Sequence, residues 1–207
     1  MSDQMLRFDV GALDESQSYK LISAIVTPRP IAWVASCNPD GGVNLAPFSS
    51  YTFVSYNPAK ILISVGPGVD VLKDTLVNIQ ARGEFTVSSV TPEFLEPMAD
   101  SSFAYDNEES EAEILGIALE QASSVATPFV AGVVAAMECI LDQIIEVGDR
   151  DRHRLIIGTV NCFHVDPAIW NTDRIDPKRY KPLGRIGGPL YQERGEIIVR
   201  PAPKARV

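Results

Sequence analysis

Two histidines and three cysteines are all that 207 residues carry of the softer metal ligands. The cysteines (Cys37, Cys139, Cys162) are odd in number and show no CxxC spacing, which argues against a disulfide framework and for a reducing compartment. With no paired cysteines and no second histidine beside either one, no dedicated metal site is expected. Basic residues are the next shortage. Eighteen Lys and Arg against 27 Asp and Glu leave a net charge of -9, so the phosphate neutralisation that drives binding to nucleic acid or anionic membrane is poorly supplied. No run of about 20 apolar residues is present, so no membrane-spanning helix is expected. The start, MSDQMLRFDV, has no apolar core of a signal peptide. A cytoplasmic protein is the expectation. Repeats, low-complexity tracts and linkers are absent too, which predicts one domain over 1–207.

The remaining composition, 45% hydrophobic with a mean hydropathy of +0.04, suffices for one packed core. LISAIVTP (21–28), IAWVASC (31–37), VNLAPFSSYTFVSY (43–56) and ILISVG (61–66) are rich in β-branched and aromatic residues and are separated by NPDGG and NPAK. They read as a strand meander. Residues 70–85 carry Leu72, Leu76 and Ile79 at helical spacing with Gly83 as a stop, and 85–90 read as a strand. Residues 91–102 read as a helix with Thr91 as N-cap and Pro92 in its first position, ended or kinked by Pro97. The acidic stretch 105–124 reads as a lid or excursion rather than core. Residues 133–148 alternate at period 2 and fit a strand better than a helix; with 155–165 they make a hairpin across GDRDRHR. The whole predicts a β-rich α+β barrel with peripheral helices.

Three places offer chemistry, each with a plainer alternative. In GGVNLAPFSSY (41–51), Pro47 cannot donate to a ladder and marks an edge or bulge. Asn44, Ser49 and Ser50 then put donors and acceptors beside free backbone groups, as a flat polar ligand requires; an edge strand blunted against aggregation explains them equally. Lys73-Asp74-Thr75 opens a helix, where unpaired amides and the helix dipole favour an anion such as a terminal phosphate; Asp74 as a simple N-cap is the alternative. GRIGGPLY (184–191), considered with His153, offers close backbone approach and the Tyr191 ring, or else a loop that packs on the barrel or a second subunit. It is not a GxGxxG fingerprint, and no catalytic triad spacing is present.

With these residues laid out, the chain resembles the flavin reductase-like family of FMN-binding split barrels. The resemblance rests on TPRPIAWVAS (27–36), DGGVNLAPFSSYTFVSYNPA (40–59), KDTLVNIQARGEFTVS (73–88), IIGTV (156–160) and PLGRIGGPLY (182–191), in that order over residues 19–191. It implies a six-stranded antiparallel Greek-key split barrel. The core would span about 19–165, with 166–207 packing on the barrel or on a dimer partner. It also implies a homodimer with FMN at or near the interface. Asn44, Ala46, Pro47 and Ser49 would then meet the isoalloxazine ring and ribityl chain, and Trp33 would lie against the flavin. Arg29, Lys73 and Thr75 would hold the phosphate, with Ser64 beside them. His153, Arg185, Gly187 and Tyr191 would face the cofactor or a nicotinamide, with His153 orienting the nicotinamide or supplying a proton. The implied activity is NAD(P)H-dependent reduction of FMN, with a monooxygenase or another redox protein as partner. The alternative is an FMN-binding electron carrier, flavoredoxin-like, reduced by a partner protein. The acidic 105–124 stretch and the basic turn GDRDRHR depart from this pattern.

Overall fold

The computed structural model describes residues 5–67, 73–103, 105, 109–148 and 152–200. In chain order its elements are α1 (Glu15–Ile25), β1 (Arg29–Pro30), β2 (Ala32–Cys37), β3 (Val43–Phe48), β4 (Tyr51–Tyr56), β5 (Ala59–Val65), α2 (Asp74–Arg82) and β6 (Glu84–Ser89). There follow α3 (Leu95–Asp100), α4 (Glu111–Ile114), β7 (Leu119–Glu120), β8 (Phe129–Val130), β9 (Ala135–Val147), β10 (His153–Val165), β11 (Trp170–Asn171), β12 (Arg174–Ile175), β13 (Gly184–Gly187) and β14 (Leu190–Gln192). No helix among the described residues is long and apolar enough to cross a membrane.

One antiparallel sheet dominates, with strand order β3-β2-β6-β9-β10-β5-β4. Its two edges, β3 and β4, are consecutive in the chain and joined only by Ser49 and Ser50. Three Cα steps reach about 11 Å at most, so the sheet must curl until its edges nearly meet. This is the split in the barrel. The sheet has seven strands, two of which come from the stretch 43–56 read as one run, which breaks at the serine pair. Inside the curl lies the first core, built from Val34, Ile61, Ile63, Phe85, Cys139 and Ile156, and plugged by Leu76 and Ile79 of α2. Outside it, Trp33, Leu45, Val90, Met98 and Val130 form a second core under α3 and α4. The strand β2 is buried along its whole length between the two.

Several expectations need correction. LISAIV closes helix α1 instead of opening a strand. A capping box starts that helix: Asp14 Oδ1 accepts from Gln17 N at 2.7 Å, and Gln17 Oε1 accepts from Asp14 N at 3.1 Å. Pro97 neither ends nor kinks its helix. It sits in the first turn of α3, where a missing N–H leaves no bond unmade. Thr91 makes no side-chain cap bond, and Pro92–Phe94 form a 3-10 turn ahead of α3. The stretch 105–124 is not only an excursion: Glu111 and Ala112 are buried against the second core. Helix α2 begins at Asp74 and stops at Gly83, in the left-handed region at φ +72, as its pattern predicts; Leu72 lies outside the described residues. The 13-residue strands β9 and β10 pair as the expected hairpin, and Asp149, Arg150 and Asp151 of its turn lie outside the described residues.

Candidate functional site

Strand β3 pairs only with β2 in the sheet, through Pro47↔Trp33 and Asn44↔Ser36 among others. Its outward main-chain groups are the odd ones. Leu45 N donates to Glu111 Oε2 at 2.8 Å, and Val43 O accepts from Ser110 Oγ at 2.8 Å. Pro47 shares their phase, so its missing N–H falls off the ladder and leaves nothing unpaired. The first half of this edge is therefore covered by α4, and the open part begins at Pro47.

Asn44 turns away from α4 to α2, where its Nδ2 donates to Thr75 Oγ1 at 3.0 Å. Thr75 is buried in the first turn of α2, whose N-cap is Lys73. Among the described residues no side chain caps that helix start. Its first amides and the positive end of its dipole lie beside the exposed Lys73, an arrangement that suits an anion. Burial raises the pKa of Glu111, and the nearby Asp74 charge adds to the rise, while its hydrogen bond from Leu45 N works against it. Asp74 stands in the first turn of this cradle, and Glu111, the second acid near it, is biased toward its neutral form.

At its other end β3 runs into Ser49 and Ser50, and Ser64 N donates to Ser50 O at 2.8 Å. Ser64 Oγ in turn lies 3.3 Å from Nδ1 of the exposed His153. From Asn44 to Ser50 is six residues, about 20 Å of extended chain, with a helix start at one end and a Ser–His pair at the other. A third group sits on the small β1-β13-β14 sheet. Arg29 and Arg185 are cross-strand partners, and the Arg185 guanidinium lies over the Tyr191 ring at 4.4 Å and donates to its hydroxyl. Arg29 Nη1 is taken by the carbonyls of Ser23, Val26 (2.8 Å) and Ile186 (3.3 Å), tying α1 to β13. Gly187 passes beside Ser23 of α1.

Trp33 is placed differently from the expectation. It is 0% exposed, with its Nε1 donating to Ser101 Oγ at 2.9 Å and its ring against Phe94, so it presents no face to a ligand. A separate cavity of about 720 Å³ opens at the β1 end, walled by Pro28, Arg29, Tyr51, Phe53, Val90 and Leu183 among others. Arg29 is the one expected site residue on its wall. Burial raises the pKa of the Tyr51 hydroxyl there.

Residues 25–179 match the family model described as a flavin reductase like domain. The chain belongs to the flavin reductase-like family. It is 32% identical over 206 residues to the uncharacterised protein YwrF of Bacillus subtilis, covering 96% of this chain and 100% of that one. Among solved structures it is similar to nitrilotriacetate monooxygenase component B from Bacillus cereus, with a TM-score of 0.92 and 30% identity over 96% of this chain and 100% of that one. It is also similar to 2-nitrobenzoate 2-nitroreductase NbaA of Pseudomonas fluorescens, with a TM-score of 0.88 and 28% identity over 97% and 98% of the two chains. The large antiparallel sheet with few helices is that family's fold, and members of the family are oxidoreductases.

Proposed function

We propose that the protein is an FMN-binding oxidoreductase that draws hydride from NAD(P)H, passes the electrons on, and works as a homodimer. The observation that carries this reading is the Asn44–Thr75 hydrogen bond, which fixes an edge strand against an uncapped helix start. The residues present fit FMN chemically. A phosphate suits Lys73 and the first amides of α2. The amide of Asn44 and the hydroxyls of Thr75 and Ser49 suit a polyhydroxy chain. Ala46 and Pro47, on opposite faces of β3, leave little side-chain bulk along the strand where a flat ring would lie. FMN itself supplies the redox chemistry, accepting hydride and releasing electrons.

The chain's own residues bind, orient and tune. Lys73 holds the phosphate charge at the helix start, beside Asp74 of the same turn. His153, held by Ser64, is the group proposed to orient a nicotinamide or deliver a proton. Arg185, Gly187 and Tyr191 are proposed to face the cofactor or the nicotinamide, and the homodimer reading allows a partner subunit to bring them there. The Bacillus cereus neighbour is named as a monooxygenase component, which supports a monooxygenase or other redox protein as the acceptor.

The test is a visible spectrum of purified protein with one equivalent of FMN, followed anaerobically on adding NADH and then NADPH. Flavin absorption that shifts on binding and bleaches within seconds to minutes supports the reductase. Bound flavin that neither nucleotide bleaches assigns the carrier reading instead, with a partner protein as donor. FMN that passes freely through a desalting column overturns both.

A further inference from the structure

The outer face of the sheet carries a cluster that flavin chemistry does not use. Glu138 on β9 and Cys162 on β10 are cross-strand partners, and His164 stands two residues further along β10. The register between the two strands shifts between Val160 and Cys162. Val160 packs against the inner core, so strict alternation would send residues 162 and 164 inward as well. The extra residue, Asn161, turns both outward onto the face of Glu138, as a β-bulge does. One donor atom each from the carboxylate, the thiol and the imidazole then lies within 4.8 Å of the other two.

The surroundings prepare that face for positive charge. Glu138 is 0% exposed. Its oxygens accept from Ser123 N at 2.7 Å, from Ser124 N and Oγ at 2.5 Å each, and lie 2.5 Å from His164 Nε2. The two serines thus orient the carboxylate from behind, as outer partners orient ligands in metal sites. Cys162 is partly buried and the His164 side chain is 27% exposed, so the front stays open to solvent. The ring of Phe129, 4.5 Å away, steadies the imidazole.

We propose that Glu138, Cys162 and His164 bind a thiophilic divalent cation of the Zn²⁺ class. Thiolate, imidazole and carboxylate are the ligands that this ion takes, with water in the fourth position. Binding releases the thiol proton to solvent, while the imidazole binds as its neutral form through Nε2 and keeps its N–H on Nδ1. A tetrahedral ion with bonds of ~2.1 Å separates its N and O ligands by about 3.4 Å. The imidazole must therefore withdraw by about 0.9 Å from its present 2.5 Å contact, which its exposed edge permits. Thiolate and carboxylate together cancel the charge of the ion.

Co²⁺ reads the site directly. Titration of the full-length protein is expected to give one bound equivalent with a near-ultraviolet thiolate-to-cobalt band, which Zn²⁺ abolishes. Cys162→Ser is expected to lose the band, and His164→Ala to weaken binding by about tenfold or more, since even outer partners are worth that much. In the wild type, Zn²⁺ is expected to protect Cys162 from iodoacetamide, located by peptide mass spectrometry; this arm needs no variant to fold. Absence of the band, a band that survives Cys162→Ser, or labelling of Cys162 at the same rate with and without Zn²⁺ overturns the site.

Discussion

Glu111 shows how one side chain ties sequence to site. It stands in a stretch whose acidity suggests solvent, yet it is 7% exposed and gives Leu45 N its only side-chain acceptor among the described residues. Glu111→Ala leaves that amide buried without a partner, at a cost of about 1–3 kcal/mol. Glu111→Gln keeps an oxygen for it and costs less. The pH dependence follows from the raised carboxyl pKa, caused first by burial. A group raised in the folded state contributes fully below its unfolded value and loses that contribution as pH rises through the folded one. From pH 4.5 to pH 7 the wild type is expected to lose stability relative to Glu111→Gln, read as the difference between their urea midpoints at each pH; a difference that does not move with pH refutes the assignment. Lys73→Ala tests the cradle itself. It is expected to weaken FMN binding about tenfold or more, by analogy with a lost charge-assisted contact, and to do so less at high salt. An unchanged flavin titration removes Lys73 from the site.

At the scale of elements, the legible parts were those with two agreeing signals. Helix α2 has helical spacing and a glycine stop; β9 and β10 have alternation on both sides of a polar turn. Helix α1 misleads because LISAIV is a short apolar run that suits strand and helix alike. The deciding signal was the Asp14–Gln17 capping box upstream. The site followed the same rule. Asn44 and Thr75 lie 31 positions apart, yet the motifs that carry the resemblance singled out both, and the structure brings them within 3.0 Å. Trp33, placed against the flavin by the resemblance, instead fills the second core against Phe94 and Ser101, a packing that a matching motif does not reveal. The Cys162-x-His164 spacing was in plain view, but its meaning needs the bulge at Asn161 and a partner 24 residues upstream. Packing inside the barrel makes its own demand. A Cβ at Gly158 would stand 2.5 Å from Phe85 Cζ, in the first core. Gly158→Ala is expected to cost about 1–3 kcal/mol through overpacking, and Phe85→Leu in the same chain to recover part of it. Additive losses in the double variant would show that the two do not meet.

At the scale of the whole molecule, apolar surface stays exposed among the described residues. Helix α1 has no buried residue, with Tyr19 at 64%, Ile22 at 63% and Ile25 at 78% exposure. Met5 and Leu6 before it, and Ile198 and Val199 near the far end, are exposed above 80%. An amphipathic helix gains its stability from burying one face, so an unburied one is a surface that a second copy would cover in the proposed dimer. Arg29 pins α1 to β13, so the helix does not hang free. It is held as part of a face, beside the Arg185–Tyr191 pair that the proposed site needs but does not reach through any hydrogen bond among the described residues. A second copy covering this face would bury the helix and bring those side chains, and the exposed His153, toward a neighbouring cradle. Light scattering is then expected to give twice the 22.6 kDa chain mass. The double variant Ile22→Glu/Ile25→Glu is expected to run at the chain mass with its sheet signal intact and its FMN affinity reduced in parallel. A wild-type mass of one chain would end the dimer reading. A dissociated variant that still binds FMN as tightly would confine the cradle to one subunit, with Asn44, Lys73 and Thr75 sufficient to hold the cofactor.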